Sequence, residues 1–312
     1  MNYLITARNI RRGQFGDEPG LARFLKVPGN RLPKPEHRIS RKDWVDAVMD
    51  RGHTYQDPHT GEDCGDIVVF VHGYNTSPGD LMRRHRQLER DLPASGYRGA
   101  FVSFDWPSDD RAINYLEDRS DAKITALKLV DDCVSLLAAT QYRGCRINVH
   151  IVAHSMGAYV VREAFDDADD RPAIAASNWN ISQLCFVGAD VSAASMSASD
   201  TRTRSLYRHC TRLTNYQNPF DVALKLSNVK RAGVAPRAGR RGLPDDHPTK
   251  AVNINCGAYF RENYSKDGGN GHSWYFTDSL FLADLVGTLS GDLDHSVVGQ
   301  RRADADGRLQ IA

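Results

Sequence analysis

The stretch RINVHIVAHSMGAYVVREAF, residues 146–165, carries two different periodicities on either side of one serine. Residues 146–152 alternate and are rich in Val and Ile, as suits a buried strand. From Tyr159 onward the apolar residues take helical spacing. The residues between, Ala153-His154-Ser155-Met156-Gly157, must therefore turn the chain sharply from strand to helix. Small residues at the first and last of these positions let the backbone double back without a Cβ clash. That puts Ser155 at the apex in a strained conformation, with its hydroxyl lifted clear of a sheet. The pattern is a nucleophile elbow, G-x-S-x-G, with Ala153 at the first glycine position. A serine ahead of a helix also serves simply as its cap, so partners elsewhere in the chain must decide.

Working outward, 312 residues at 41% hydrophobic content can bury a substantial core as one large domain or two smaller ones. A net charge of +1 gives no sign of a nucleic-acid partner. The N-terminal MNYLITARNIRRGQ lacks the apolar region of a secretory signal, and no segment approaches the length of a membrane span. The six cysteines are scattered without C-x-x-C spacing, which supports neither zinc nor a disulfide framework. A reduced, cytoplasmic protein without metal or organic cofactor is the expectation.

Strand-like and helix-like segments alternate, which predicts an α/β fold: a mostly parallel central sheet with helices on both faces. Predicted strands are NYLITARNI (2–10, outermost), DIVVFVHGYN (66–75), GAFVSFDWPS (99–108), RINVHIVAHS (146–155), SQLCFVGADVS (182–192), TRLTNYQNP (211–219) and KAVNINCGAYF (250–260, the last). Helices are predicted over 79–93, over most of 111–140 and over 273–289. Residues 1–65 read as one strand plus a Pro-, Gly- and charge-rich excursion with a short helix near 41–49. Residues 66–292 read as the main domain and 293–312 as a polar tail. The basic stretch 228–249 reads first as a solvated loop and second as an anion contact, with Lys225, Lys230, Arg231, Arg237, Arg240, Arg241 and Lys250 in or beside it.

A serine hydroxyl needs a base to take its proton, and the base needs a third group to orient it. In such a sheet the three follow in the order Ser, acid, His, each beyond the carboxyl end of a strand. Asp221 in NYQNPFDVALKLS and His272 in NGHSWYF supply that order after Ser155. Asp190 in FVGADVS also ends a strand and is the rival acid. The oxyanion donors are expected from the N–H of Met156, after the nucleophile, and of Tyr74, with Gly73 its rival, in the turn after VVFVHGYN. His72 is expected to be a structural hydrogen-bonder in that turn, and His154 to point away from the serine hydroxyl. Trp106-Pro107 is read as a pocket wall or as core packing.

With those residues in view, the chain resembles a serine hydrolase of the α/β-hydrolase fold. More narrowly, it is similar to the bacterial family of unknown function DUF900, grouped with esterases and lipases. The matching pieces are VFVHGYNTS (69–77), VSFDWPS (102–108), NYLEDRSDA (114–122), IVAHSMGAYVV (151–161), NPFDVALKLS (218–227) and GHSWYF (271–276). The resemblance implies Ser155, Asp221 and His272 as the triad. It also implies a small-molecule or lipid-like ester as substrate, with a thioester or amide open to the same machinery.

Overall fold

Residues 67–71, Ile-Val-Val-Phe-Val, offer no polar side to water, so a strand made from them must be covered on both faces. The computed structural model describes residues 1–108, 115–134, 145–172, 179–229, 235–264, 270–291 and 294–312. In it Ile67, Val69 and Val71 enter one hydrophobic core, while Val68 and Phe70 enter another on the opposite face.

Among the described residues, one sheet holds eleven strands. They are β1 (Asn2–Arg11), β2 (Gln14–Val27), β3 (His53–Gln56), β4 (Asp63–Val71), β5 (Ala100–Asp105) and β6 (Cys145–His154), then β7 (Ile181–Val187), β8 (Cys210–Gln217), β9 (Ala251–Asn255), β10 (Arg301–Ala303) and β11 (Leu309–Ile311). Their order is β10-β11-β9-β8-β7-β6-β4-β5-β1-β2, with β3 beside β4. From β11 through β1 every neighbouring pair is parallel, whereas β2, β3 and β10 pair antiparallel. The chain leaves β4 for β5 on one side and then crosses to β6 on the other. The crevice at the carboxyl ends of β4 and β6 is therefore the switch point where such sheets bind ligands.

Helices α1 (Arg41–Gly52), α2 (Pro78–Ala94), α3 (Tyr115–Leu129), α4 (Met156–Asp169) and α5 (Thr201–Arg208) are followed by α6 (Val222–Val229), α7 (Ala238–Arg241), α8 (Gly257–Asn263) and α9 (Ser279–Ser290). Buried residues of α1, α3, α4 and α5 fill one core, and those of α2, α8 and α9 the other. The chain is thus an α/β-hydrolase fold with a mostly parallel sheet covered on both faces. No helix among the described residues is long and apolar enough to cross a membrane.

Four sequence expectations need correction. The excursion after β1 contains β2, which makes β2 rather than β1 the outermost strand. The two turn at Arg12 (φ 49°) and Gly13 (φ 76°), a two-residue hairpin whose paired positive φ values match strand twist. The strand expected over 250–260 stops at Asn255, because the Asn255 side chain accepts the Gly257 N–H and chain direction changes into α8. Nor is it the last strand, since the stretch expected as a polar tail contributes β10 and β11. The helix expected from 273 begins at Ser279, where Asp278 caps it through the Phe281 N–H, after a 3₁₀ turn at Trp274–Thr277.

Candidate active site

Ser155 joins β6 to α4 with φ 53° and ψ −122°, a backbone conformation that non-glycine residues rarely hold. Its cost, on the order of 1–3 kcal/mol, is borne by the surrounding hydrogen bonds. Ser155 N–H donates to the Val187 carbonyl at 3.0 Å, and the Ser155 carbonyl accepts from Asp190 N–H at 2.9 Å. Gly157 is required here: a Cβ on it would lie 2.4 Å from the Val71 carbonyl oxygen and 2.6 Å from that of His72. Ala153, at the first elbow position, is fully buried within β6.

Asp221 and His272 come together although 51 residues apart, with His272 Nδ1 2.7 Å from Asp221 Oδ2. Asp221 follows β8, is fully buried, and its Oδ1 also accepts the Leu224 N–H at 2.9 Å. The loop bearing His272 is tied down by Asn218, whose Nδ2 donates to the Gly271 carbonyl, and by Asn270, whose Oδ1 accepts the His272 N–H. Ser155 and His272 line the same cavity, of about 720 Å³, together with Tyr74 and apolar Leu81, Leu224 and Leu226.

Asp190, the rival acid, also reaches that cavity, but its Oδ1 lies 3.1 Å from Arg237 Nε, and both side chains are almost fully buried. For residues 235–249, the described part, that pairing corrects the reading of this stretch as a solvated loop. Arg237 is 1% exposed, and Gly239 lies so close to Gly188 and Ala189 that a Cβ would stand 2.0 Å from the Ala189 nitrogen. Lys230 and Arg231 of the expected basic group fall outside the described residues.

The turn after β4 approaches the elbow at Gly73, where a Cβ would come within 2.8 Å of Ser155 Cβ. Tyr74 follows it, and Met156 opens α4, so the Met156 N–H is one of those with no acceptor inside the helix. His72 Nδ1 donates to the Gly73 carbonyl at 2.8 Å, while its ring stacks on Trp106. Trp106 is fully buried and donates from Nε1 to the His72 carbonyl at 2.8 Å. It supports the turn from within the core and does not line the cavity.

Beneath this turn lies a group that the sequence did not single out. Arg8 of β1 is fully buried, donates from Nε to Asp105 Oδ1 at 2.8 Å, and reaches from Nη2 to the Thr76 carbonyl at 2.8 Å. Thr6 Oγ1 donates to the other Asp105 oxygen, and His72 Nε2 is 3.3 Å from Oδ1. Burial opposes ionisation of Asp105, but Arg8 and then His72 outweigh it and hold the carboxyl down at about 2. His154, expected only to point away from the serine hydroxyl, makes a contact that the sequence did not reveal. Its Nε2 donates to the carbonyl of His272 at 2.9 Å, and its ring lines the same cavity. Burial first, and His272 second, push its pKa well below the usual range, so it stays a neutral donor that positions the His272 loop. Neither group left a signal in spacing, since each acts through partners about 100 residues away.

A family description, alpha/beta hydrolase of unknown function (DUF900), matches residues 55–255, more than half of the chain. No curated protein matches it. Among solved structures, the chain is similar to esterase B from Lactobacillus rhamnosis, seen with a tributyrin phosphonate. The identity is 12%, over 72% of this chain and 75% of that one, with a TM-score of 0.38. It is also similar to a proposed cell surface hydrolase from Lactobacillus plantarum WCFS1, at 12% identity over 73% of this chain and 90% of that one, with a TM-score of 0.38. Likenesses so distant carry no argument about chemistry. The family match does establish kinship: the chain belongs to the DUF900 family of alpha/beta hydrolases.

Proposed function

We propose that this hydrolase cleaves a carboxylic ester through an acyl-serine intermediate. The observation that carries the reading is the 2.7 Å hydrogen bond between buried Asp221 and His272, which lines one cavity with Ser155, itself held at positive φ. Ser155 Oγ attacks the ester carbonyl as His272 Nε2 takes its proton, and Asp221 holds the Nδ1–H and stabilises the imidazolium. The N–H groups of Met156 and Tyr74 bind the oxyanion. His272 then gives its proton to the departing alcohol, and a water activated by the same ring releases the acid. Leu81, Leu224 and Leu226 offer the hydrocarbon part of the substrate an apolar wall.

Turnover of a chromogenic acyl ester tests this. Ser155→Ala is expected to lose on the order of a millionfold in kcat. Asp221→Asn is expected to lose roughly ten-thousandfold, because the amide favours the wrong imidazole tautomer. Per folded molecule Asp190→Asn should lose far less, since Asp190 faces Arg237. Equal losses for the two Asn variants would remove Asp221 from its role, and near-normal turnover by Ser155→Ala would remove the mechanism.

A further inference from the structure

The cavity at Ser155 is lined by four charged side chains besides its histidines: Asp80, Arg83, Arg84 and Asp190. Three of them are answered by protein charges. Arg83 pairs with Asp80, i and i+3 on α2, and Asp190 pairs with Arg237. Arg84 meets no carboxylate among the described residues. Its Nη1 donates to Gln87 Oε1 at 3.0 Å, and its guanidinium lies over the Phe276 ring, 4.7 Å from the centroid.

A half-buried guanidinium keeps its charge, offers five N–H donors and loses solvation, so a site that leaves it without an anion carries a cost. The protein nonetheless holds it in place. Gln87, whose Nε2 donates to the Phe276 carbonyl at 2.7 Å, braces one edge of the fork, and Phe276 fixes its plane. The same Phe276 ring meets His154 edge-on at 5.2 Å, and His154 carries the His272 loop. Arg84 lines the cavity that Ser155 and His272 also line, and burial lowers its pKa.

We infer that Arg84 receives an anionic group, a carboxylate or a phosphate, carried on the same molecule as the scissile bond. Its planar fork matches either anion through paired N–H donors. The substrate class is therefore an acid ester with an apolar segment against Leu81, Leu224 and Leu226 and a negative charge at Arg84. This rests on the ester-hydrolase reading above and narrows it. It also moves the anion contact from the segment 228–249, whose Arg237 is engaged by Asp190, to α2.

The test uses the full chain and esters of one chromogenic alcohol whose acyl arms match in length and end in a carboxylate, a phosphate or a neutral methyl ester. The parent protein should favour an anionic arm over the neutral one in kcat/KM by about 10- to 100-fold, the range for a charged hydrogen-bonded contact. Arg84→Gln should collapse that ratio towards one, mainly through KM, and Arg84→Lys should keep part of it. Because the readout is a ratio within each variant, partial misfolding does not mimic it. Glutarate and inorganic phosphate, titrated calorimetrically, give a second readout that needs no turnover. Each is expected to bind the parent better than Arg84→Gln if its chemistry is the one recognised. A parent that prefers the neutral arm, or a ratio unchanged in Arg84→Gln, overturns the inference. Arg84-dependent glutarate or phosphate binding with no ester cleaved would instead sustain the anion site and sink the ester reading.

Discussion

At one end of the sheet β1 and β2 form a hairpin whose Arg8 side chain is fully buried against Asp105, and at the other β10 and β11 form one whose Arg301 is fully buried against Asp284. Both close the sheet with an antiparallel outer strand and a buried arginine–aspartate pair. They differ in where the rest of the guanidinium goes. Arg301 spends its donors on Asp284, Tyr216 Oη, Thr288 and the His295 carbonyl, all beneath or beside α9. Arg8 spends its donors on Asp105, Asp17 and the carbonyls of Gly16, Thr76 and Ser108, and so grips the turn that follows β4. The same device thus closes a core at one end and holds the turn beside Ser155 at the other.

Breaking each pair should separate the two roles. Arg8→Met and Arg301→Met each leave a buried carboxylate unpaired, and each is expected to cost about 3–5 kcal/mol in denaturant unfolding. Turnover per folded molecule should fall on the order of a hundredfold for Arg8→Met, if the turn it displaces binds the oxyanion as proposed, and stay within about twofold for Arg301→Met. Removing both charges sharpens the contrast. Asp284→Leu added to Arg301→Met should restore most of the stability with activity intact, whereas Asp105→Leu added to Arg8→Met should restore stability alone. Equal losses of turnover at the two ends would erase the distinction.

Acid provides a smaller perturbation of the same pair. With its folded pKa near 2 against an ordinary 3.8, Asp105 binds its proton later in the folded chain than in the unfolded one. It therefore contributes about 2 kcal/mol that is fully present above pH 3.8 and is lost as pH falls through 2. The stability gap between the parent and Asp105→Asn should accordingly narrow between pH 5 and pH 2. A gap constant over that window would show that Arg8 does not hold the carboxylate as described.

The smallest effect is expected at Ser77, which follows the clamped Thr76 and caps α2, its Oγ accepting the Asp80 N–H at 3.1 Å. Ser77→Ala should cost about 1 kcal/mol in unfolding and lose much less turnover than Arg8→Met. A matching loss of turnover would mean that the helix cap, not Arg8, sets the turn.

The contrast between sheet centre and sheet ends also explains what the sequence could reveal. Residues 67–71 of β4 are buried on both faces and read as an apolar run, whereas the first half of β6 alternates exposed Arg146 and Asn148 with buried Ile147 and Val149. The outer strand β2, QFGDEPGLARFLKV, holds Pro, two Gly and four charges, and its pairing with β1 shifts register on both sides of Arg8, which erases the alternation. Strands β10 and β11 span three residues each, too short for any period to show. In the site, the elbow is local and therefore legible, and chain order nominated His272 while leaving Asp221 and Asp190 as rival acids. Arg8 finds Asp105 across 97 residues and His154 finds the His272 carbonyl across 118, so their roles exist only once the sheet has formed.

The central claim, that Ser155 is a nucleophile raised by its elbow and activated by His272, is tested most directly by a fluorophosphonate followed by intact mass and peptide mapping. A phosphonyl adduct is expected on Ser155 in the parent protein, absent in Ser155→Ala and formed far more slowly in His272→Ala. An unmodified parent, or an adduct on any other residue, would contradict the account.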